Sequence, residues 1–457
     1  MSKISGPLQF SNFKSVQFLG DYQCPTLFLF QNGPNSRARY IVELLEEVSM
    51  NILVLLEEYF PDYNASTLCA ANVINELAKY HKITVLTSRI LFKSQDKLDE
   101  NSDQFSVIRV SNTYLSLYRK QFRTPFVRII MRFLNWSIQK LVCADINYIW
   151  YLETKRRIKR FVDDNDVVIA FSGTFSTQQL GMYAKLLKTD QESKKKLISV
   201  FFDDLLPDIN PNYKGSLNLA YNRKSISEKL FQVSDYIIFT KNVYNYYLHR
   251  YSFYKDKMVK IDLPLLDFKN SPPTNNNKPV LVYSGYLYRQ FRNPSSVLEI
   301  LNELSQYMEF EFHLIGAGDC YDIIAPYLKK GWLTNHGLMS RLYSDEAISK
   351  ADILINIGNN TRYQTPSKIF SYINTGKRII NFYSIKQDTS LVYLRKYPLA
   401  LNVFTEQKRD CTFYETIIRF IQKKPVRLDR SAITKTYYMN LPKYSCDLIN
   451  KMIGVMK

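Results

Sequence analysis

Residues 51–56 read Asn-Ile-Leu-Val-Leu-Leu, and residues 82–87 read Lys-Ile-Thr-Val-Leu-Thr. Both runs are short and rich in branched apolar residues, which is the pattern of strands that are buried on both faces of a parallel sheet. The segment between them, near 68–80, has helical spacing. Together the three segments predict a strand, a helix and a second parallel strand, so we expect an α/β fold.

The same alternation continues along the chain. Before position 262, strand-like runs lie at 104–110, 166–171, 197–202, 235–239 and 258–261, mostly separated by helical patterns. After a break, further runs lie at 280–284, 310–315, 352–356 and 378–382. Strands that alternate with helices predict doubly wound sheets, here two Rossmann-like domains that face a central cleft.

The break is the segment Asn-Ser-Pro-Pro-Thr-Asn-Asn-Asn-Lys-Pro at 270–279. Proline and asparagine favour turns and extended backbone, so we expect this segment to link two domains. The sequence therefore predicts an N-terminal extension at 1–50, a first Rossmann-like domain at 51–269, a second at 280–425, and C-terminal helices at 426–457 that pack back on the first domain.

The composition excludes several classes of protein. Of the 457 residues, 46% are hydrophobic and 23% are charged, which is typical of packed domains and excludes disordered and fibrous chains. The six cysteines form no C-x-x-C pair, so we expect a reducing cytosol with neither a zinc knuckle nor a disulfide framework. We find no secretory signal and no apolar run of about 20 residues that could span a bilayer.

Two glycine-containing segments suggest phosphate loops but do not match them. Gly316-Ala317-Gly318 follows a predicted strand, yet Tyr321 stands where the dinucleotide fingerprint requires a third glycine. Thr375-Gly376-Lys377 has Ser371 in place of the first glycine of a P-loop. We interpret both segments as tight turns.

A different set of residues indicates an anion site. Gly285 ends the first strand of the second domain, and Arg292 follows at the start of the next helix. Near Asn359, a second helix begins at Pro366-Ser367-Lys368, and its N-terminal amides would point into the cleft. Either cation alone would be interpreted as a solvated surface charge. Together at one sheet edge, Arg292 and Lys368 predict a diphosphate site.

These motifs resemble the GT-B glycosyltransferases, in particular the retaining group with a GT4-like C-terminal domain that builds bacterial surface polysaccharides. The resemblance spans about residues 50–425. It is carried by Gly285…Arg292-Asn293-Pro294, by Ala351–Asn359, by Pro366–Tyr372 with Thr375-Gly376-Lys377, and in the first domain by Ile52–Pro61 and His81–Thr87.

The resemblance implies that the second domain binds a nucleotide-sugar, a UDP-sugar rather than a GDP-sugar, and that the first domain binds the acceptor. It implies catalysis without a metal or another cofactor, with Arg292 and Lys368 neutralising the departing diphosphate. The residues it places at the donor are Gly285, Asn293, Asn359, Pro366, Ser367 and Ser371.

One pair of positions departs from the family pattern. Members usually carry Glu-x7-Glu, and the second Glu bonds the ribose hydroxyls, but the two positions here are Tyr363 and Ser371. A serine offers one hydroxyl and cannot accept the bidentate, charge-assisted bonds of a carboxylate. The alternative to an active enzyme is therefore a degenerate, non-catalytic member that binds a glycan or a partner.

Two carboxylate pairs lie near the first sheet. Asp203-Asp204 follows a predicted strand, where it could orient an acceptor hydroxyl in a catalytic role or cap a loop. Asp164-Asn165-Asp166 matches the metal motif of GT-A enzymes, but we interpret it as a turn.

The chain carries a net charge of +19, with 61 Lys and Arg against 42 Asp and Glu. Six of these cations and no acid lie between 119 and 144: Arg119, Lys120, Arg123, Arg128, Arg132 and Lys140. From Thr124-Pro125 the segment predicts an amphipathic helix. Together with the basic run at 155–160, it indicates an anionic membrane surface, whereas an ordinary surface helix packed on the core is the alternative. No nucleic-acid motif accompanies the charge. We therefore expect a peripheral protein at the cytoplasmic membrane face, acting on a glycan or lipid-linked acceptor.

Overall fold

The fold is described by a computed structural model of the chain. The described residues are 49–60, 64–89, 104–112, 148–172, 175–187, 195–202, 227–268, 276–362 and 364–455, with single positions at 126, 129, 130, 133, 136, 137, 225 and 274. The expected N-terminal extension, most of the basic stretch at 119–144, the pair Asp203-Asp204 and Tyr363 lie outside these residues. No helix within the described part of the chain is long and apolar enough to cross a membrane.

The first sheet has seven strands, and every pairing in it is parallel. They are β1 (Asn51–Leu55), β2 (Lys82–Arg89), β3 (Phe105–Ser111), β4 (Val167–Ser172), β5 (Lys196–Phe201), β6 (Tyr236–Thr240) and β7 (Met258–Ile261). Their order is β3-β2-β1-β4-β5-β6-β7, so the direction of winding reverses between β1 and β4. The carboxyl edge at such a reversal is where open α/β sheets bind ligands.

The second sheet has six parallel strands. They are β8 (Val280–Ser284), β9 (Glu311–Ile315), β10 (Leu333–Gly337), β11 (Ile353–Ile357), β12 (Arg378–Tyr383) and β13 (Ala400–Phe404). Their order is β10-β9-β8-β11-β12-β13, with the reversal between β8 and β11. The two parallel sheets with interleaved helices confirm the predicted fold class.

Every predicted strand is present, but β10 and β13 were not predicted. Both are edge strands of the second sheet. Strand β10 reads Leu-Thr-Asn-His-Gly, and only Leu333 in it is buried. Polar Thr334, Asn335 and His336 fill its middle, so it lacks the continuous apolar run by which the central strands were found.

Helices connect the strands and cover both sheets. Along the chain they are α1 (Ala65–Leu77), α2 (Tyr148–Lys155), α3 (Lys159–Asp163), α4 (Phe175–Leu186), α5 (Lys241–Arg250), α6 (Ser295–Leu304), α7 (Tyr321–Ile324), α8 (Arg341–Lys350), α9 (Lys368–Ile373), α10 (Leu391–Leu394), α11 (Cys411–Gln422), α12 (Arg430–Thr436) and α13 (Pro442–Ile453). One apolar cluster contains residues of both sheets and of α13, so the two halves share part of their core.

Polar contacts also connect the halves. The hydroxyl of Tyr393 on α10 donates to Oδ1 of Asp262, which follows β7, over 2.6 Å. His81 Nε2 and Asn450 Oδ1 on α13 lie 2.9 Å apart. Both contacts join residues more than 100 positions apart. They hold the segment after β7 and the last helix in place against their neighbours. The predicted domain bounds stay a prediction.

Candidate functional site

Loops at the carboxyl edges of the two sheets enclose a cleft of about 720 Å³. From the first half, Asn64, Ala65 and Asn72 of the α1 region line it, together with Leu265 and Asp267 after β7. From the second half come the loops after β8, β9 and β10 and the start of α9. Both sheets thus present their ligand-binding edge to one space, as the sequence predicts for two facing Rossmann-like domains.

The glycines after β8 and β9 allow two loops to pack directly on each other. A Cβ at Gly316 would lie 1.8 Å from the carbonyl oxygen of Gly285, and one at Gly318 would lie 1.8 Å from that of Leu287. The amide of Leu287 donates to Ala317 O over 2.9 Å. The Gly-Ala-Gly motif is therefore explained by this backbone contact, and Gly285 and Gly316 form one wall of the cleft.

Arg292 is held in a fixed orientation beside the cleft. Its Nε donates to Oδ1 of Asn359 over 2.9 Å, and its Nη1 donates to the carbonyl oxygen of Tyr286 over 3.1 Å. The side chain is half-buried. The Arg292–Asn359 bond crosses the reversal of the second sheet, since Arg292 follows β8 and Asn359 follows β11.

Asn359 is itself fixed by buried neighbours. It is 2% exposed, and its Nδ2 donates to the carbonyl oxygen of Gln364 over 2.9 Å. The hydroxyl of Thr389 donates to the same oxygen over 3.0 Å. The carboxyl of Asp388 lies against Gly358, because a Cβ there would be 1.9 Å from its Oδ2. Burial raises the pKa of Asp388, while Arg292 acts in the opposite direction. Hydrogen bonds of the buried Asn359 thus hold Arg292 in place.

Lys368 lines the cleft at the first position of α9, with Ser367 before it and Ser371 one turn later. Its side chain is half-buried. Burial lowers its pKa, and the nearby carboxylate of Asp345 on α8 partly offsets this effect. The hydroxyl of Tyr372 accepts a bond from the amide of Ser284 over 2.9 Å, which fixes α9 to the end of β8.

The two predicted cations line neighbouring cavities. Lys368 lines the large cleft, whereas Arg292 lines an adjacent cavity of about 130 Å³. Ser367 lines both. The two cations therefore belong to adjoining spaces that share Ser367.

The remaining predicted site residues have different surroundings. Asn293 is exposed, and its Oδ1 accepts bonds from the amide and hydroxyl of Ser295, the first residue of α6. Pro366 is buried at the turn before α9. The structure does not describe Asp203 and Asp204, so their predicted role stays a prediction.

Sequence reasoning missed a buried carboxylate at the edge of the first sheet. Asp262 directly follows β7 and lines the smaller cavity together with Arg292. Its Oδ1 accepts bonds from Tyr393 and from the amide of Leu263, but burial dominates and raises its pKa. An acid immediately after a predicted strand was a usable signal, and it was overlooked beside Asp203-Asp204.

Two rejected motifs have structural explanations. Lys377 is buried, and its Nζ donates to the carbonyl oxygens of Ile348, Ser349 and Ala351 at the end of α8. It therefore caps a helix and does not form part of a phosphate loop. Asp166 Oδ2 accepts the amide of Asn51 over 2.9 Å, which joins the start of β4 to the start of β1. Among the described residues, no three or more His, Cys, Asp and Glu side chains form a group that could hold a metal.

Comparison with known proteins identifies the fold. No protein-family model matches the sequence, and no curated protein matches it. Among solved structures, sucrose-phosphate synthase from Thermosynechococcus elongatus is similar with a TM-score of 0.58 and 12% identity, over 88% of this chain and 98% of that chain.

Two further solved structures are similar to the chain at about the same level. A glycosyltransferase from Rickettsia africae has a TM-score of 0.54 and 13% identity over 89% of this chain and 99% of that one. Anabaena HepE in complex with UDP has a TM-score of 0.53 and 10% identity over 89% and 100%. The chain therefore has the GT-B fold of these glycosyltransferases, which excludes the GT-A alternative.

Proposed function

We propose that the chain is a metal-independent, retaining hexosyltransferase with a GT4-like second domain, of the type that builds bacterial surface polysaccharides. It transfers a sugar from a nucleotide-sugar, a UDP-sugar rather than a GDP-sugar, to a glycan or lipid-linked acceptor. The observation that carries the proposal is the cleft between the two carboxyl edges, which Lys368 lines, together with the adjoining cavity, which Arg292 lines, Ser367 lining both.

In this proposal the diphosphate lies beside Ser367, between the two cations. As the bond between the sugar C1 and the diphosphate oxygen breaks, negative charge grows on the leaving group. Arg292 and Lys368 stabilise that charge, and because hydrogen bonds fix Arg292 beforehand, its guanidinium needs little rearrangement during the reaction. The burial that lowers the pKa of Lys368 also strengthens its attraction to a bound anion.

The acceptor hydroxyl attacks C1 on the face that the diphosphate leaves, so the new bond retains the original configuration. The hydroxyl proton passes to the departing diphosphate. The acceptor enters from the first half of the cleft, where Asn64, Asn72 and Asp267 provide polar groups for sugar hydroxyls. We place the acceptor at the inner face of the plasma membrane because of the cationic stretch at 119–160.

The diphosphate site can be tested by calorimetric titration with UDP and GDP. Arg292→Ala and Lys368→Ala should each weaken UDP binding by about 1.5–3 kcal/mol, the range for hydrogen bonds to charged groups. Arg419→Ala and Lys350→Ala are matched controls, because both side chains are exposed and form surface ion pairs. Unchanged UDP affinity in both site variants would contradict the assignment.

Ser371 supports a second candidate, a non-catalytic binding protein. It lines the cleft in the place where the family pattern has the ribose-binding Glu. A protein of this kind would bind a nucleotide-sugar or a glycan without consuming the donor. Measuring binding and donor turnover on the same preparation separates it from the enzyme.

A further inference from the structure

A row of large apolar side chains between 126 and 137 faces solvent. The described positions in this segment are helical. The exposed fraction of five of their side chains lies between 43% and 73%, and these five form what we call the apolar stripe: Phe126, Ile129, Ile130, Phe133 and Trp136. The rings of Phe133 and Trp136 stack with centroids 5.7 Å apart. Their spacing of three and four places them on one face of the helix.

This exposure decides between the two interpretations of the amphipathic helix. If the helix packed on the core, its apolar face would be buried. Five neighbouring side chains of this size instead remain in contact with water, which is unfavourable by about 25 cal/mol for each Å² of apolar surface. A contiguous exposed apolar patch of this kind is typical of a surface that binds a membrane or another molecule.

The charge of the sequence that contains the stripe indicates what covers it. Residues 119–144 contain six cations and no acid. A second copy of the chain, brought face to face through this segment, would oppose cation to cation. An anionic membrane supplies both an apolar interior for the stripe and negative headgroups for the cations. A tryptophan is also suited to this boundary, because its ring is apolar and its N–H is polar.

We propose that the apolar stripe inserts into the monolayer of an anionic membrane. Binding then has two parts. Electrostatic attraction between the cations and the headgroups brings the chain to the surface and weakens with salt. Burial of the stripe among the acyl chains persists at high salt, so the protein is held by insertion as well as by charge. This inference does not depend on glycosyl transfer.

Trp136 allows a direct test, because the other two tryptophans, Trp150 and Trp332, are buried in the protein. The full chain is mixed with vesicles of phosphatidylcholine, alone or with phosphatidylglycerol, some carrying brominated acyl chains. Brominated phosphatidylglycerol vesicles should quench the fluorescence of the wild type, and Trp136→Phe should lose most of that quenching. Vesicle flotation should fall at about 0.5 M salt but not vanish.

Substitution of two exposed rings tests the insertion itself. Phe126→Ser with Phe133→Ser should lower the fraction of protein bound to vesicles by roughly tenfold or more at high salt, while UDP binding and thermal denaturation stay unchanged. Phe253→Ser is the matched control, because Phe253 is 90% exposed outside the stripe and should be neutral. Replacing Arg119, Lys120, Arg123, Arg128 and Arg132 together should abolish the preference for anionic vesicles.

Three results would overturn the proposal. The first is equal flotation of the wild type and the double variant. The second is absence of quenching by brominated lipids, which would leave the stripe outside the acyl region. The third is a dimer in lipid-free buffer that the double variant breaks, together with no vesicle binding, which would assign the stripe to a second copy of the chain.

Discussion

Ser371 is the residue at which the proposed donor site differs most from the pattern of the family that the sequence resembles. It lines the cleft one helical turn after Lys368, whose pKa is lowered by burial. If the chain binds a nucleotide-sugar as proposed, a hydroxyl in this place would leave the ribose weakly held, and the phosphates would supply most of the donor's binding energy through Lys368 and Arg292.

We predict that Ser371→Glu tightens UDP-sugar binding by roughly 1–2 kcal/mol, the scale of a charge-assisted hydrogen bond. The new carboxylate lies next to Lys368, which offsets the cost of burying it. Calorimetric titration measures the change, and Ser252→Glu, an exposed serine outside the cleft, is the control. If neither the wild type nor Ser371→Glu binds a UDP-sugar at millimolar concentration, the donor site is not functional.

Lys377 lies in a motif that suggests a phosphate loop, but in the structure it caps helix α8. We predict that Lys377→Met lowers the free energy of unfolding by about 1–3 kcal/mol, because three buried carbonyl oxygens at the end of α8 lose their hydrogen-bond donor. Urea denaturation measures the loss. The same substitution at Lys424, which is exposed, should change the stability little, and equal effects at both positions would contradict the capping role.

At the scale of elements, two histidines join the edge strand β10 to β9. His313 Nδ1 and His336 Nε2 lie 2.9 Å apart, so one ring must donate and the other accept. His336 Nδ1 lies 3.0 Å from the hydroxyl of Tyr343 on α8, and His313 Nε2 lies 3.5 Å from Glu311. Protonation of both rings removes the acceptor and places two like charges in contact.

This pair predicts a pH dependence of stability. Burial, together with the charge of His313, lowers the pKa of His336. Below about pH 6.5 the unfolded chain therefore binds the proton more readily, and the unfolding free energy should fall as the pH drops. His336→Gln should reduce this slope in urea denaturation, whereas His249→Gln, at an exposed position, should not. Equal slopes in all three proteins would contradict the account.

The strands that could be predicted from the sequence are those whose apolar residue pattern follows directly from burial. Central strands such as β1 and β11 are buried along all or nearly all of their length and consist mainly of apolar residues, as expected for the middle of a parallel sheet. Strands β10 and β13 were missed because polar residues interrupt them and only one residue of each is buried. The cleft-facing turn at Lys368 was predictable from the Pro-Ser-Lys start of α9, while the layer of Asn359, Gln364 and Thr389 under Arg292 depends on tertiary contacts that leave no sequence period.

At the scale of the whole molecule, the two facing sheets line the cleft with different side chains, which in the proposed function bind the donor's phosphates and the acceptor. The second half contributes both cations, and the first half contributes amides and carboxyls. Asp262 joins the halves through Tyr393 beside Arg292. Such a contact links positions 131 residues apart, so single-sequence reasoning could place Asp262 at a sheet edge but could not identify its partner.

The measurement that tests the central proposal most directly is UDP release from a panel of UDP-hexoses, with a chelator present and with or without a bacterial membrane-lipid extract. The account predicts that the extract accelerates UDP release and that the hexose appears in the lipid fraction. Lys368→Ala should lose this activity and Lys350→Ala should keep it. Saturable UDP-sugar binding with no release under any of these conditions would contradict the transferase and leave the non-catalytic binding protein.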